Sequence, residues 1–413
     1  MGKMRSMREK IIFTIMMIIL FRLGSILPVP FINTDLLRAS MESASGTLFD
    51  LFNMMSGGGL TSASVFAMGV SPYINASIIV QLLTVALPIL ENMKKEGTEG
   101  SKKLNKINRY VAFGLALAQS YSFYMMLNQW GAVSTSGIVP VSIIMLAFTA
   151  GSFLVMWLGE RVTEKGIGNG ISIILVAGIL SGLPDGIVTL SLIDPKFLIL
   201  MILAVILAAI VLVVFMSEAE KRVPVTYSRA VTVGRHYNSA PSNIPLKVNM
   251  SGVMPIIFAS TILSIPNTIK MFVPAITNNE IVAKIFSAFN NTSPFYGVIY
   301  FILIILFNFF YVSIQYDPVE MANTIKQQGG VVPGIRPGKP TAEYLQKSMN
   351  RLAFIGAIFL GVIAVVPIIL NASFQGVSFY LGGTSLLIIV GVAIETAKQI
   401  EANKSVYEYS SLI

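Results

Sequence analysis

The 413-residue chain has no cysteine, one histidine (His236) and 49 charged residues. Without thiols it can build neither a disulfide scaffold nor a thiolate nucleophile, and a single imidazole does not make a histidine-based metal cluster. No H-E-x-x-H, paired aspartate or serine-with-base arrangement occurs, which argues against intramembrane proteolysis and metal hydrolysis. A Walker A motif is missing too, so the chain is not expected to hydrolyse ATP or to act as an enzyme, and no cofactor is called for. Charge is the scarcest commodity, at 12% against roughly 25% in soluble domains.

What is there in quantity is apolar. Hydrophobic residues make up 54% of the chain, more than a water-soluble fold of this size can bury, and the composition is that of a membrane protein. About 20 apolar residues in helix cross a roughly 30 Å hydrocarbon layer. Five charge-poor runs fit one span each: Ile11 to Leu27, Gly166 to Pro184, Phe197 to Ser217, Val248 to Ile269, and Tyr296 to Tyr316. Tyr110 to Gly159 and Leu352 to Ile394 each hold a pair of spans separated by a polar turn. Ser71 to Pro88 spans as well, whereas the stretch before it stops at Gly57, Gly58 and Gly59 after barely two turns. The expectation is an all-α polytopic membrane protein of ten spans and one short half-helix.

Ten spans put both termini on one side, and the basic residues say which. That side collects 24 of the 29 Lys and Arg; the other holds Arg38, Lys196, Lys270 and Lys284, with Arg22 inside span 1. The positive-inside rule therefore places both termini in the cytoplasm. Lys3, Arg5, Arg8 and Lys10 ahead of an apolar run resemble a signal peptide, but no A-x-A site follows, so the run reads as an uncleaved first span.

Ionisable residues within spans are nearly confined to Arg22 and Glu395, which argues against ion coupling. Arg22 either snorkels or bonds carbonyls between spans. Gly46 to Leu60, GTLFDLFNMMSGGGL, either lies at the outer interface or re-enters the membrane; in the second case the three glycines form a hinge and the small residues Thr61 to Ser64 let it pack loosely and move. Gly166, Gly168 and Gly170 do not fit G-x-G-x-x-G and are expected to make a tight turn into span 5. Two long basic loops, 218–247 and 317–351, suit docking to an acidic partner, RNA phosphate included. The first spaces Val223, Val225 and Tyr227, then Val231 and Val233, as in a β-hairpin.

Seven stretches in order resemble the SecY family, central subunits of the bacterial protein-conducting channel. They are FRLGSILPVP (Phe21 to Pro30), FNMMSGGGL (Phe52 to Leu60), SPYINASIIVQLLT (Ser71 to Thr84), MWLGERVTEKGIGNGISII (Met156 to Ile174), IPLKVN (Ile244 to Asn249), VPGIRPGKPT (Val332 to Thr341) and FYLGGTSLLI (Phe379 to Ile388). The resemblance implies ten helices in two pseudo-symmetric inverted five-helix halves, residues 1–194 and 195–413, around an hourglass pore. It implies an apolar ring of Val70, Ile74, Ile171, Leu175, Ile257 and Ile388, although the i, i+4 pairs among these also fit ordinary helix packing. It implies a plug over Gly46 to Leu60, including Leu48, Phe49, Leu51, Phe52, Asn53, Met54, Met55, Gly57, Gly58 and Gly59, and a lateral gate with Asn75 and Gln119 as polar candidates. A hydrogen bond at that gate is expected to bias it shut.

By the same resemblance, Arg235, Lys247 and Arg336 dock the ribosome, through rRNA, or the motor ATPase SecA. SecE-like and SecG-like small subunits, signal sequences, the translocating polypeptide and the bilayer complete the partners, and the bacterial cytoplasmic membrane is the location. Only ten residues before span 1 and a tail without basic residues at its end, SVYEYSSLI, depart from the family's pattern. The implied function is passage of unfolded polypeptide across the membrane with lateral release of apolar segments. The alternative is an inverted-repeat secondary transporter of a small solute.

Overall fold

A computed structural model describes residues 7–43, 53, 56–135, 137–184, 188, 196–227, 242–272, 294–373 and 383–410. The chain runs through α1 (Met7–Gly24), α2 (Thr34–Ser43), α3 (Ser71–Ala86), α4 (Pro88–Lys95), α5 (Thr98–Gln129), α6 (Ile138–Lys165), α7 (Gly170–Ser181) and α8 (Lys196–Glu218). It continues through strands β1 (Glu220–Tyr227) and β2 (Ser242–Lys247), helices α9 (Met254–Phe272), α10 (Pro294–Gln315) and α11 (Pro318–Gln327), strand β3 (Gly330–Val331), and helices α12 (Lys339–Ser373) and α13 (Gly383–Ser410).

Each expected span holds a helix, but they differ in how they meet the membrane. Among the described residues, four helical stretches are individually long and apolar enough to cross: α6, residues 199–218 in α8, 295–327, and 339–369 in α12. α3 and α4 qualify only as a pair, bent by 100°. The bend follows from Pro88, which cannot donate to the helix ladder and pushes Leu87 into extended backbone (φ −113, ψ 114). Span 2 thus ends as expected, but the chain turns sideways into a short helix ending in Lys94 and Lys95. α7 is only 12 residues, short of the roughly 20 that a straight crossing needs.

Glycine sets the approach of α7. The Asn169 side chain caps it, accepting from the Ile171 and Ser172 N–H groups. Gly168, at φ +74, makes the turn. A Cβ on Gly170 would lie 1.9 Å from the Gly159 carbonyl oxygen, so α6 and α7 are in backbone contact at this elbow.

The helices before residue 182 pack among themselves (α3 on α5, α5 on α6, α6 on α7, α1 on α6 and α7), and those after 195 do likewise (α9 on α10, α10 on α12, α8 on α13). Two seams join the groups: α7 against α13, and α5 against α9. Between them runs one apolar cluster that takes Val70, Ile74 and Ile78 from α3 and its approach, Ile174 and Leu175 from α7, and Ile256, Ala259 and Leu263 from α9.

The two long loops form a three-stranded sheet in the order β2-β1-β3. β1 carries Val223, Val225 and Tyr227 as expected, but its antiparallel partner is β2, with Val223 opposite Ile244 and Glu220 opposite Lys247. The pairing expected with Val231 and Val233 is thereby corrected; those two lie outside the described residues. The short alternation at 231–233 has a competitor in Ile244 and Leu246, which sit directly before α9 and share a cluster with Val223 and Val225. β3, from the second loop, adds to the other edge with Thr226 opposite Val331.

Candidate functional site

The six residues expected to form the pore ring fall in two touching clusters. Val70, Ile74 and Leu175 are buried in the central one, with Ile171 and Ile257 partly buried against it. Ile388 is buried beside Ile179 and Val392 in a smaller cluster, and Val253 and Ile173 pack on both. Ile171 also lies over the elbow, its Cγ1 2.9 Å from where a Gly159 Cβ would stand. All six are branched apolar residues, so the contact between the helix groups, the waist, offers no directional side-chain bond.

The half-helix before α3 is described at Asn53 and from Ser56 onward; Gly46, Leu48, Phe49, Leu51, Phe52, Met54 and Met55 lie outside the described residues. Gly57 and Gly58 adopt φ +71 and +78, as a glycine hinge requires. The turn is tied internally: the Gly58 N–H donates to the Asn53 carbonyl (2.8 Å), the Thr61 N–H to Asn53 Oδ1 (3.0 Å) and the Leu60 N–H to Ser56 Oγ (3.2 Å). It rests on α7, where a Gly57 Cβ would be 3.4 Å from Ser181 Oγ and 3.5 Å from Gly178 Cα. On α7 these contacts come after Leu175, so the turn sits along the helix axis beyond the waist.

Arg22 reaches this turn. Its Nη1 donates to the Gly57 carbonyl at 2.8 Å, so of the two roles open to Arg22 the structure selects carbonyl bonding, on a turn rather than on a helix end. The continuation through Ser64 is not loose, contrary to expectation. Val29 N–H donates to the Ala63 carbonyl (2.9 Å), Val65 N–H donates to the Leu27 carbonyl (2.9 Å), and Ser64 is buried and bridged to Pro28. Two backbone bonds to the chain leaving α1 hold it, which small side chains alone do not reveal.

Asn75 on α3 and Gln119 on α5 are both half-buried. Neither forms a side-chain hydrogen bond with a described residue, which corrects the expected gate bond. The polar tie that does join α3 to α5 is Asn108 Nδ2 to Ser77 Oγ, 2.8 Å. A second tie crosses to the later helices, where Lys94 Nζ on α4 donates to the Ile314 carbonyl of α10 (3.4 Å). Its neighbour Lys95 is raised above the ordinary lysine value by its hydrogen bond and charge contact with Glu91, with Asp317 at the start of α11 adding to the shift. Sequence reasoning missed this corner because Pro88 read as the end of a span.

At the sheet, Arg336 is exposed in the turn between β3 and α12, flanked by Gly334 (φ +81) and Gly338 (φ +97). The turn is fixed at its base: Ile335 N–H donates to the Val332 carbonyl (3.0 Å), Thr341 Oγ1 to the Arg336 carbonyl (2.9 Å), and Val332 is buried. Lys247 is exposed at the end of β2, and Arg235 lies outside the described residues. Lys221 binds the sheet to α12, donating to Ser348 Oγ (3.2 Å) and standing over the Tyr344 ring. Among the described residues no group of His, Asp or Glu is placed to hold a metal ion.

Comparison with known proteins bears on this arrangement as a whole. The sequence model of the SecY family matches residues 64–397. The protein translocase subunit SecY of Aquifex aeolicus is 39% identical over 426 residues, covering 100% of this chain and 97% of that protein. A solved structure described as that of a protein conducting channel superposes with a TM-score of 0.68 at 17% identity, covering 98% of this chain and 94% of that one. Sec61 in the canine ribosome-channel complex from the endoplasmic reticulum has the same fold, with a TM-score of 0.64, 16% identity and coverage of 98% and 94%.

Proposed function

The chain belongs to the SecY family, and on that premise we propose how its own residues serve a protein-conducting channel. It is a multi-pass membrane translocase subunit through which unfolded secretory polypeptides cross and from which apolar segments leave sideways into lipid. The observation that carries this reading is the branched apolar waist between the two helix groups, with a glycine turn seated beyond it.

The ring is Val70, Ile74, Ile171, Leu175, Ile257 and Ile388. Such side chains close around an extended chain and hydrate ions poorly, so they admit a backbone of any sequence while resisting ion flow. The plug is Gly46 to Leu60. The two halves, 1–194 and 195–413, part along the α5–α9 seam, where the polar, unbonded Asn75 and Gln119 make contact with lipid-like segments unfavourable until a signal sequence covers them.

The chain supplies no energy of its own. The driving force comes from partners at the cytosolic face, where the fixed turn bearing Arg336, with Lys247 and Arg235, docks a ribosome through rRNA or the motor ATPase SecA. Small SecE-like and SecG-like subunits complete the channel. The basic residues favour the bacterial cytoplasmic membrane with both termini inside. A secondary transporter is not favoured, because the spans offer almost no ionisable groups for coupling.

The natural absence of cysteine makes the test direct. Val70→Cys and Ile257→Cys, each probed with an arrested secretory chain carrying a thiol crosslinker, are expected to trap the passenger. Failure at both positions would remove the pore assignment.

A further inference from the structure

We propose that Arg22 is the latch of the plug: a positioning residue whose guanidinium holds the glycine turn shut against α7 and sets how often the turn releases. The proposal rests on the plug reading above and adds the residue that controls it. Arg22 stands in the last turn of α1, half-buried, with its Nη1 2.8 Å from the Gly57 carbonyl oxygen. Among the described residues no carboxylate pairs with it, so the carbonyl is its anchor. A hydrogen bond from an ionised donor is about twice as strong as a neutral one.

The bonds on either side of this contact locate the moving part. Asn53 and residues 56–62 form a knot: Gly58 and Thr61 bond to Asn53, Leu60 to Ser56, and Ser62 N–H to the Gly58 carbonyl at 3.3 Å. Ala63 N–H and Ser64 N–H join the knot to the next segment through the Leu60 (3.1 Å) and Gly59 (2.8 Å) carbonyls, and from Ala63 onward the chain is also fastened to other elements. Val29 N–H donates to the Ala63 carbonyl and Val65 N–H to the Leu27 carbonyl, a Cβ on Gly151 of α6 would meet the Val65 carbonyl oxygen at 1.8 Å, and Ser152 Oγ donates to the Gly69 carbonyl at 3.0 Å. Between these regimes, the hydrogen bond from Arg22 is the one that ties the knot to a helix among the described residues.

The closed turn is also under tension where the regimes meet. Ala63 sits at φ +42, a left-handed conformation that glycine takes freely and alanine does not. The adjoining Ser64 hydroxyl is buried without a hydrogen-bond partner. Arg22 offsets this strain. An extended passenger in the funnel carries one carbonyl per residue, so exchanging Gly57 for a passenger carbonyl releases the knot with no net loss of hydrogen bonds.

The test uses the full chain in lipid vesicles, with hydrogen exchange followed separately over 53–62 and 65–86. Arg22→Leu is expected to speed exchange in 53–62 roughly ten- to hundredfold, the worth of a hydrogen bond to a charged group, while 65–86 stays protected. Arg22→Lys, which keeps a charged donor on a shorter reach, is expected to fall between Arg22→Leu and the parent. Unchanged protection of 53–62 in Arg22→Leu overturns the latch, and so does an equal loss in 65–86, which marks a general packing role. Deleting 46–60 and measuring chloride leak tests the plug reading separately: tight vesicles after deletion defeat that reading, and the exchange result still decides whether Arg22 holds the turn.

Discussion

The two seams between the helix groups are built from different materials. Where α7 meets α13, Ile179, Ile388 and Val392 are buried against Val176 and Ile389, and Gly168 brings the elbow close enough that a Cβ there would be 3.1 Å from Thr396 Oγ1. Around the α5–α9 contact the material differs: Asn75 on α3 and Gln119 on α5 are half-buried without a side-chain hydrogen bond to a described residue, and the neighbouring α4 is tied to α10 by an exposed lysine on a carbonyl. Lipid shields methylenes about as well as another helix does, so association within a membrane rests on close packing and hydrogen bonds. By that measure the first seam is a fixed joint. On the channel reading proposed above, the second is the seam expected to open.

Filling or emptying positions on each seam sharpens this contrast. The largest effect is expected from Ile179→Ala, which leaves a cavity in the fixed joint: a loss of about 2 kcal/mol, seen as a lowered melting temperature in detergent, and smaller than for a water-soluble core because lipid also shields the unfolded reference. If this variant melts like its parent, the joint is not what holds the groups together. Next, Asn75→Leu with Gln119→Leu removes polar groups that have no hydrogen bond to lose. Melting should move by less than about 0.5 kcal/mol. Translocation of a passenger with a weakly apolar signal sequence should fall several-fold, whereas one with a strong signal should be unaffected; equal loss for both would mean that the pair is not at the gate. The smallest effect belongs to Lys94→Met at the exposed end. It should change stability by no more than about 0.5 kcal/mol and make gate opening less sensitive to salt, measured as salt dependence of the same translocation assay.

The sequence was most readable where one strong rule acted alone. Apolar run length located the helices long and apolar enough to cross among the described residues, because the bilayer imposes that length. It was least readable where two local rules competed or where the answer lay far along the chain. Pro88 ends a helix whether the chain then becomes loop or turns into another helix, so α4 and its Lys94 were hidden behind a correct boundary. Val231 and Val233 alternate as a strand should, yet β1 pairs with a segment whose claim rests on its position before α9. The destination of Arg22 is 35 residues away in a glycine turn, and no periodicity encodes such a contact. The six residues assigned to the ring were picked out only through motif resemblance, since buried branched residues four apart occur on any packed helix.

The cytosolic sheet carries one more lesson. β1 leaves α8 almost without a linker, β2 leads into α9, and β3 sits between α11 and α12, so three antiparallel strands rivet four helices together at one end. A push delivered at the tip near Arg336 is therefore not absorbed by a slack loop. On the docking role proposed for Arg336, it is expected to arrive as torque on those four helices together, like a handle welded to a door.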